Sequence, residues 1–112
     1  MTDCLFCKMV KKDITPDIVY EDEKILAFRD INPQAPVHIL VIPKAHIATL
    51  NECADAELAG ALLQTVVKIA KLEGVDESGY RTVINCNKDG GQEVGHLHLH
   101  LLAKRQMQWP PG

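Results

Sequence analysis

Apolar positions along this chain recur at two spacings, and these divide most of it into elements. Leu5, Phe6, Met9 and Val10 recur at near-helical intervals, which predicts a short helix over 5–12; Pro16 then blocks any continuation. Residues 18–21 (IVYE) and 24–29 (KILAFR) read as two short strands around a turn at Asp22-Glu23. A loop stiffened by Pro33 and Pro36 follows. Val37 to Ile42 is apolar except for His38, as expected of a central buried strand ended by Pro43. After Thr49-Leu50-Asn51, the Ala-rich run from Ala54 to Leu72 predicts the one long helix. Leu58, Leu62, Val66, Ile69 and Ala70 mark its inner face, with Leu63, Val67 and Leu72 widening it, and Gly74 ends it. Arg81–Cys86 reads as a strand, Asn87–Gln92 as a polar Gly-rich loop, and Val94–Leu102 as the last strand.

This order does not alternate as βαβ units do. It predicts an α+β fold in which one domain, 1–112, carries a mainly antiparallel sheet, one long helix and a short N-terminal helix. The composition agrees: 112 residues, 46% hydrophobic and 24% charged, suit one globular core. Twelve basic residues against fifteen acidic ones, with no basic region, argue against a protein that grips nucleic acid through its phosphates. No apolar stretch approaches the ~20 residues needed to cross a bilayer, so a cytoplasmic protein without a membrane partner is expected. Of the four cysteines, Cys4 and Cys7 form one CxxC pair, while Cys53 and Cys86 stand alone and read as structural. Without a secretory segment, metal binding or inert burial comes before a disulfide framework.

The chemistry concentrates in Gly95-His96-Leu97-His98-Leu99-His100-Leu101-Leu102. On a strand the three histidines share one face and the three leucines the other, and the leucine face fixes the register. A single strand histidine is commonly a satisfied, half-buried residue, but three in alternation call for a use. Neutral imidazoles can bind Zn²⁺, or one can attack phosphorus while its neighbours donate to phosphate oxygens. Composition does not choose between these. Gly90 and Gly91 lie just upstream, where φ > 0 and exposed N–H groups would suit an anion, although most glycine pairs are simply turns.

These residues resemble the signature of the histidine triad (HIT) family, and the chain is most similar to its Hint branch, the histidine triad nucleotide-binding proteins. The likeness runs through residues 28–38 (FRDINPQAPVH), 40–44 (LVIPK), Asp89-Gly90-Gly91-Gln92, the triad, and the ending 105–112 (RQMQWPPG), which is nearly the whole chain in order. The resemblance implies a HIT-like fold with a five-stranded sheet, and a homodimer whose two sheets join into one. It implies hydrolysis of purine nucleoside 5'-phosphoramidates, with an AMP- or GMP-type ligand and a covalent nucleotidyl-histidine. His98 would be the nucleophile, His100 a phosphate contact and His38 a further active-site histidine. Asp30 would bind the ribose hydroxyls, and Phe28 and Ile31 would line one side of the base cleft. Asn85, with the Gly91-Gln92 backbone, would lie at the phosphate. Trp109 would approach the other subunit's site. Glu93 stands where some relatives carry a phosphate-donating serine; an ionised carboxylate cannot donate, so Glu93 is expected to face outward. The departing amine needs a proton, which an imidazolium in the site is expected to supply.

The resemblance also implies a structural Zn²⁺ held by Cys4, Cys7, His46 and His96, with none required for the chemistry. Three rivals remain at this point. One is a dinucleoside polyphosphate hydrolase of the Fhit type. Another is a nucleotide- or zinc-binding interaction module with incidental hydrolysis. The third is a metallohydrolase using all three triad histidines.

Overall fold

The computed structural model describes residues 4–112. The elements follow in the predicted order: α1 (Leu5–Val10), β1 (Ile18–Glu21), β2 (Ile25–Arg29), β3 (Val37–Pro43), a 3₁₀ turn (Leu50–Glu52), α2 (Ala56–Leu72), β4 (Tyr80–Ile84) and β5 (Leu99–Ala103). The strands form one antiparallel sheet in the order β1-β2-β3-β5-β4. The hairpin turn between β1 and β2 is set by Asp22, whose carboxylate accepts from the backbone N–H groups of Lys24 and Ile25.

Both faces of the sheet are covered. On one, α2 lays Leu62, Val66, Ile69 and Ala70 over alternate residues of the strands, among them Ala27, Ile39, Val41 and Leu101. On the other, the much shorter α1 packs Phe6 and Met9 against Leu26, Phe28, Leu40 and Ile42. Every residue of β3 is therefore buried. Each fully buried Leu or Ile in these layers contributes about 1.5–3 kcal/mol of transfer free energy.

Three expectations need correction. The long helix begins at Ala56, because Asp55 caps it by accepting from the N–H groups of Glu57 and Leu58. Leu63, Val67 and Leu72 do not widen its inner face but lie partly exposed, Leu72 at 66%. Thr65 is buried in their stead, its hydroxyl satisfied by donating to the Ala61 carbonyl. The last strand starts at Leu99, not Val94. The ladder stops there: Val41↔Leu99 is the last pair with β3, although β3 itself continues to Pro43, and Ile84↔Leu99 is the last with β4, which ends short of Cys86. The Leu97 N–H donates instead to the Ile47 carbonyl in the loop after β3. The in–out alternation nevertheless continues upstream of the ladder, with Leu97, Leu99 and Leu101 all in the α2 core.

Candidate active site and metal centre

The histidine face is not open to water, as a half-covered sheet would leave it. His96 is fully buried and His98 nearly so, with Phe6 of α1 packed on both, and His38 is buried beside Gln34, Asp30 and His100. Phe6 meets the rings of His98 and His96 edge-on, with centroids 5.2 and 5.9 Å away. Buried imidazoles must have their hydrogen bonds satisfied, and here the main chain does so in an order that fixes each proton.

The N–H of Gln34 donates to Nδ1 of His38 at 3.0 Å, so the neutral His38 ring carries its proton on Nε2. That nitrogen lies 2.9 Å from Nδ1 of His100, which must accept, and the His100 proton is thereby placed on Nε2. Nε2 of His100 is buried without a partner among the described residues, and His100 is one of the residues that line the main cleft. His98 donates from Nδ1 to the His96 carbonyl at 2.7 Å, leaving the Nε2 lone pair free. The two rings are adjacent, 4.9 Å between centroids. One free lone pair and one free N–H donor therefore stand side by side. Asp30 lies next to this pair: one carboxylate oxygen accepts from the Asn32 N–H, and the other is 3.5 Å from His38 Nε2.

Burial pushes the His100 pKa down to about 4, aided by the charges that His98 and His38 would carry. Burial likewise lowers His38, against a smaller upward pull from Asp30. Neither ring stores a proton near neutral pH, so the expected imidazolium is not kept at His38 or His100.

These groups lie on a cleft of about 630 Å³, a size that suits a small organic ligand. Phe28, Asp30, Ile31, Asn85, Gly91 and Glu93 all line it, together with His38, His98 and His100. Ile31 is 92% exposed, an apolar side chain held at the mouth. Glu93 is exposed at the rim. Gln92 and Trp109 are not in its lining, and the roles expected of them concern the Gln92 backbone and the other subunit's site. The Gln92 side chain donates to the Ala48 and Val94 carbonyls and accepts from the Asn87 N–H, bracing the loop. Trp109 is 83% exposed and outside the cleft of its own chain. Sequence reasoning missed Phe6, Met9 and Ile14, which form the opposite wall. The spacing of Phe6 and Met9 announces a helix but not the surface it covers, and Ile14 lies beyond that helix.

The two loop glycines serve different needs. Gly91 has φ 76°, the left-handed region. Gly90 does not, but a Cβ there would stand 2.6 Å from the Cys86 carbonyl oxygen. The half-buried Cys86 thus contributes its backbone, and Cys53 packs at the edge of the α2 core.

His96 faces a different cluster. Its Nε2 donates to the Pro43 carbonyl at 2.8 Å, which turns the Nδ1 lone pair toward Cys4 Sγ at 3.3 Å and Cys7 Sγ at 3.6 Å. Nδ1 of His46 is 3.2 Å from Cys7 Sγ. Donor atoms of Cys4, Cys7, His46 and His96 all lie within 4.8 Å of one another. Two sulfurs and two imidazole nitrogens converging in this way are a donor set that fits Zn²⁺. The three triad histidines therefore do not share one centre, which removes the ground for a metallohydrolase built on all three.

Known proteins bear on this geometry. A family model described as the HIT domain matches residues 11–107. The chain is 53% identical to a 14 kDa zinc-binding protein of Zea mays, over 96% of this chain and 87% of that protein. It is 48% identical to a purine nucleoside phosphoramidase of Escherichia coli, over 94% of this chain and 90% of that one. A solved structure of a HIT family hydrolase from Legionella pneumophila superposes with a TM-score of 0.95 at 56% identity, covering 98% of this chain and all of that one.

Proposed function

Because the chain belongs to the HIT domain family, with a nucleotide hydrolase among its relatives, we propose that it hydrolyses purine nucleoside 5'-phosphoramidates through a nucleotidyl-histidine at His98. The observation that carries this reading is the pairing of the free His98 lone pair with the free His100 N–H in the cleft.

The nucleoside lies between the N-terminal wall (Phe6 and Met9 of α1, and Ile14 after it) and Phe28 with Ile31, and Asp30 accepts from the ribose hydroxyls. Nε2 of His98 attacks the α-phosphorus. The growing negative charge on the phosphoryl oxygens meets His100 Nε2–H and the backbone N–H groups of the Gly91 loop, beside Asn85. The P–N bond breaks and the amine departs. With His38 and His100 neutral, it takes its proton from water at the exposed rim beside Gly91 and Glu93, and the hydroxide left there is neutralised by the proton released when the nucleotidyl-histidine is hydrolysed. Water then cleaves the P–N bond to His98, releasing the nucleoside monophosphate and restoring the ring. The His96 carbonyl keeps Nδ1 of His98 protonated throughout, so the same nitrogen is ready for the next turnover. The phosphoramidase relative favours this substrate class over dinucleoside polyphosphates.

Cys4, Cys7, His46 and His96 would hold a structural Zn²⁺, which leaves no position for a reacting water and fixes the N-terminal segment to the sheet. Free thiols in such a cluster suit a reducing, cytoplasmic setting. A homodimer would form through β4, an outer strand of the sheet, and the exposed side of α2 with Leu63, Val67 and Leu72. Trp109 would then reach the partner's cleft.

Intact-protein mass after rapid quenching during turnover of adenosine 5'-phosphoramidate tests the reading. A transient adenylyl adduct on the native chain, missing in His98→Ala, is expected. Absence of both adduct and AMP release overturns it.

A further inference from the structure

The two histidine clusters are joined by one side chain. Phe6 lies between Cys4 and Cys7 in sequence and is buried. Its ring is edge-on to His98 (5.2 Å, 82°) and to Phe28 (5.4 Å, 66°). The helix that carries it has six residues, far too few to persist by backbone bonding alone. Two kinds of tie hold it in place: the packing of Phe6 and Met9 on the sheet, and the approach of Cys4 to His96 and of Cys7 to His46. A single helical turn thus presents sulfurs to one cluster and an aromatic edge to the other.

Resting on the reading of His98 as nucleophile, we propose that Phe6 is a positioning residue for His98, and that the Cys4–Cys7–His46–His96 cluster sets the placement of Phe6. Metal loading then adjusts the reaction at His98 with no metal atom near phosphorus. The physical reason is geometric. His98 has one hydrogen bond, through Nδ1, which fixes where that nitrogen lies but not the tilt of the ring about it. The Phe6 edge closes off that tilt. An attacking atom misplaced by about 1 Å loses on the order of 100-fold in rate. His96 offers a second route from the cluster, since its carbonyl holds the His98 proton. Any test must therefore separate the two.

Phe6→Leu does so, because it removes the aromatic edge and leaves every donor atom of the cluster. The zinc-loaded and chelator-stripped forms of the wild type and of Phe6→Leu should be compared for kcat, KM and the ring NMR signals of His98. Stripping is expected to lower kcat of the wild type by about tenfold or more and to move its His98 signals. In Phe6→Leu, kcat should already be lowered in the loaded form, and stripping should change it, and the His98 signals, by much less. A merely base-contacting Phe6 would instead raise KM and leave kcat alone, which overturns the proposal. So does an equal loss on stripping in both proteins, since the route would then be His96. Failure of the wild type to take up Zn²⁺, or its global unfolding on stripping, overturns it as well. Should Phe6→Leu not fold, Phe6→Met takes its place, and unmoved His98 signals on stripping the wild type suffice to reject the idea. Turnover that survives in His98→Ala would sink the nucleophile assignment, whereas the ring signals report the coupling whichever way that falls.

Discussion

The two faces of the sheet are built by different rules. The α2 face is dry and apolar, fourteen buried residues with branched aliphatic chains dominating. The α1 face mixes a small apolar cluster with four imidazoles, three held by a main-chain or cysteine partner and the fourth, His100, by the ring of His38. The first face needs volume and shape, so its neighbours can relax around a change. The second needs particular atoms at particular places, because a buried imidazole with the wrong tautomer is both unsatisfied and unreactive. One face thus supplies stability, and the other spends part of it on chemistry.

Substitutions should separate the two. The largest effect is expected from His98→Ala, with turnover of adenosine 5'-phosphoramidate lowered by about 1,000-fold or more while circular dichroism and AMP binding persist. Loss of binding along with turnover would assign His98 to the architecture. On the opposite face, Leu101→Ala should cost about 2–5 kcal/mol in denaturant unfolding and leave kcat of the folded fraction unchanged. A large kcat effect there would mean that the faces are not independent. Gly90→Ala comes next, at about 1–3 kcal/mol, because its Cβ would press on the Cys86 carbonyl and the Gly91 loop would shift; KM should rise with it.

A further effect concerns pH. The His100 pKa is about 4 in the folded chain, against 6.5 for an ordinary histidine. Protonation therefore favours the unfolded chain. The stability that His100 gives is present above about pH 6.5 and is lost as pH falls from there through 4. His38 is shifted in the same direction. Unfolding free energy measured across this window should decline, and less steeply in His100→Gln. An equal slope in the variant would place the dependence elsewhere.

The same contrast explains what the sequence made legible. Leucines and valines at periods of 2 and 3.6 report which side of an element is inward, so the sheet, α2 and the alternation of the triad could be read directly. Leu97, Leu99 and Leu101 took the side assigned to them. Resemblance supplied the roles of His98, His46 and the CxxC, and the donor atoms of the Cys/His set do converge. What stayed hidden depends on atoms that every residue shares. The carbonyls of Pro43 and His96 and the amide of Gln34 decide three tautomers, yet no side chain marks them. The start of β5 was misplaced for a related reason: apolar alternation persists where the ladder with β3 and β4 has already stopped. The exposed side of α2 was misread because leucine and valine there look the same as in a core.

The amide of Gln34 opens a series in which each bond dictates the orientation of the next. An amide N–H neither turns around nor ionises near neutral pH, so the series has a single polarity. Its opening donor is a group that every residue type except proline possesses. Exchanging Gln34 for nearly any other residue leaves that polarity intact, whereas adding or removing one residue between Asp30 and His38 would destroy it. Position 34 is therefore free to drift in composition, while the loop around it is forbidden to drift in length.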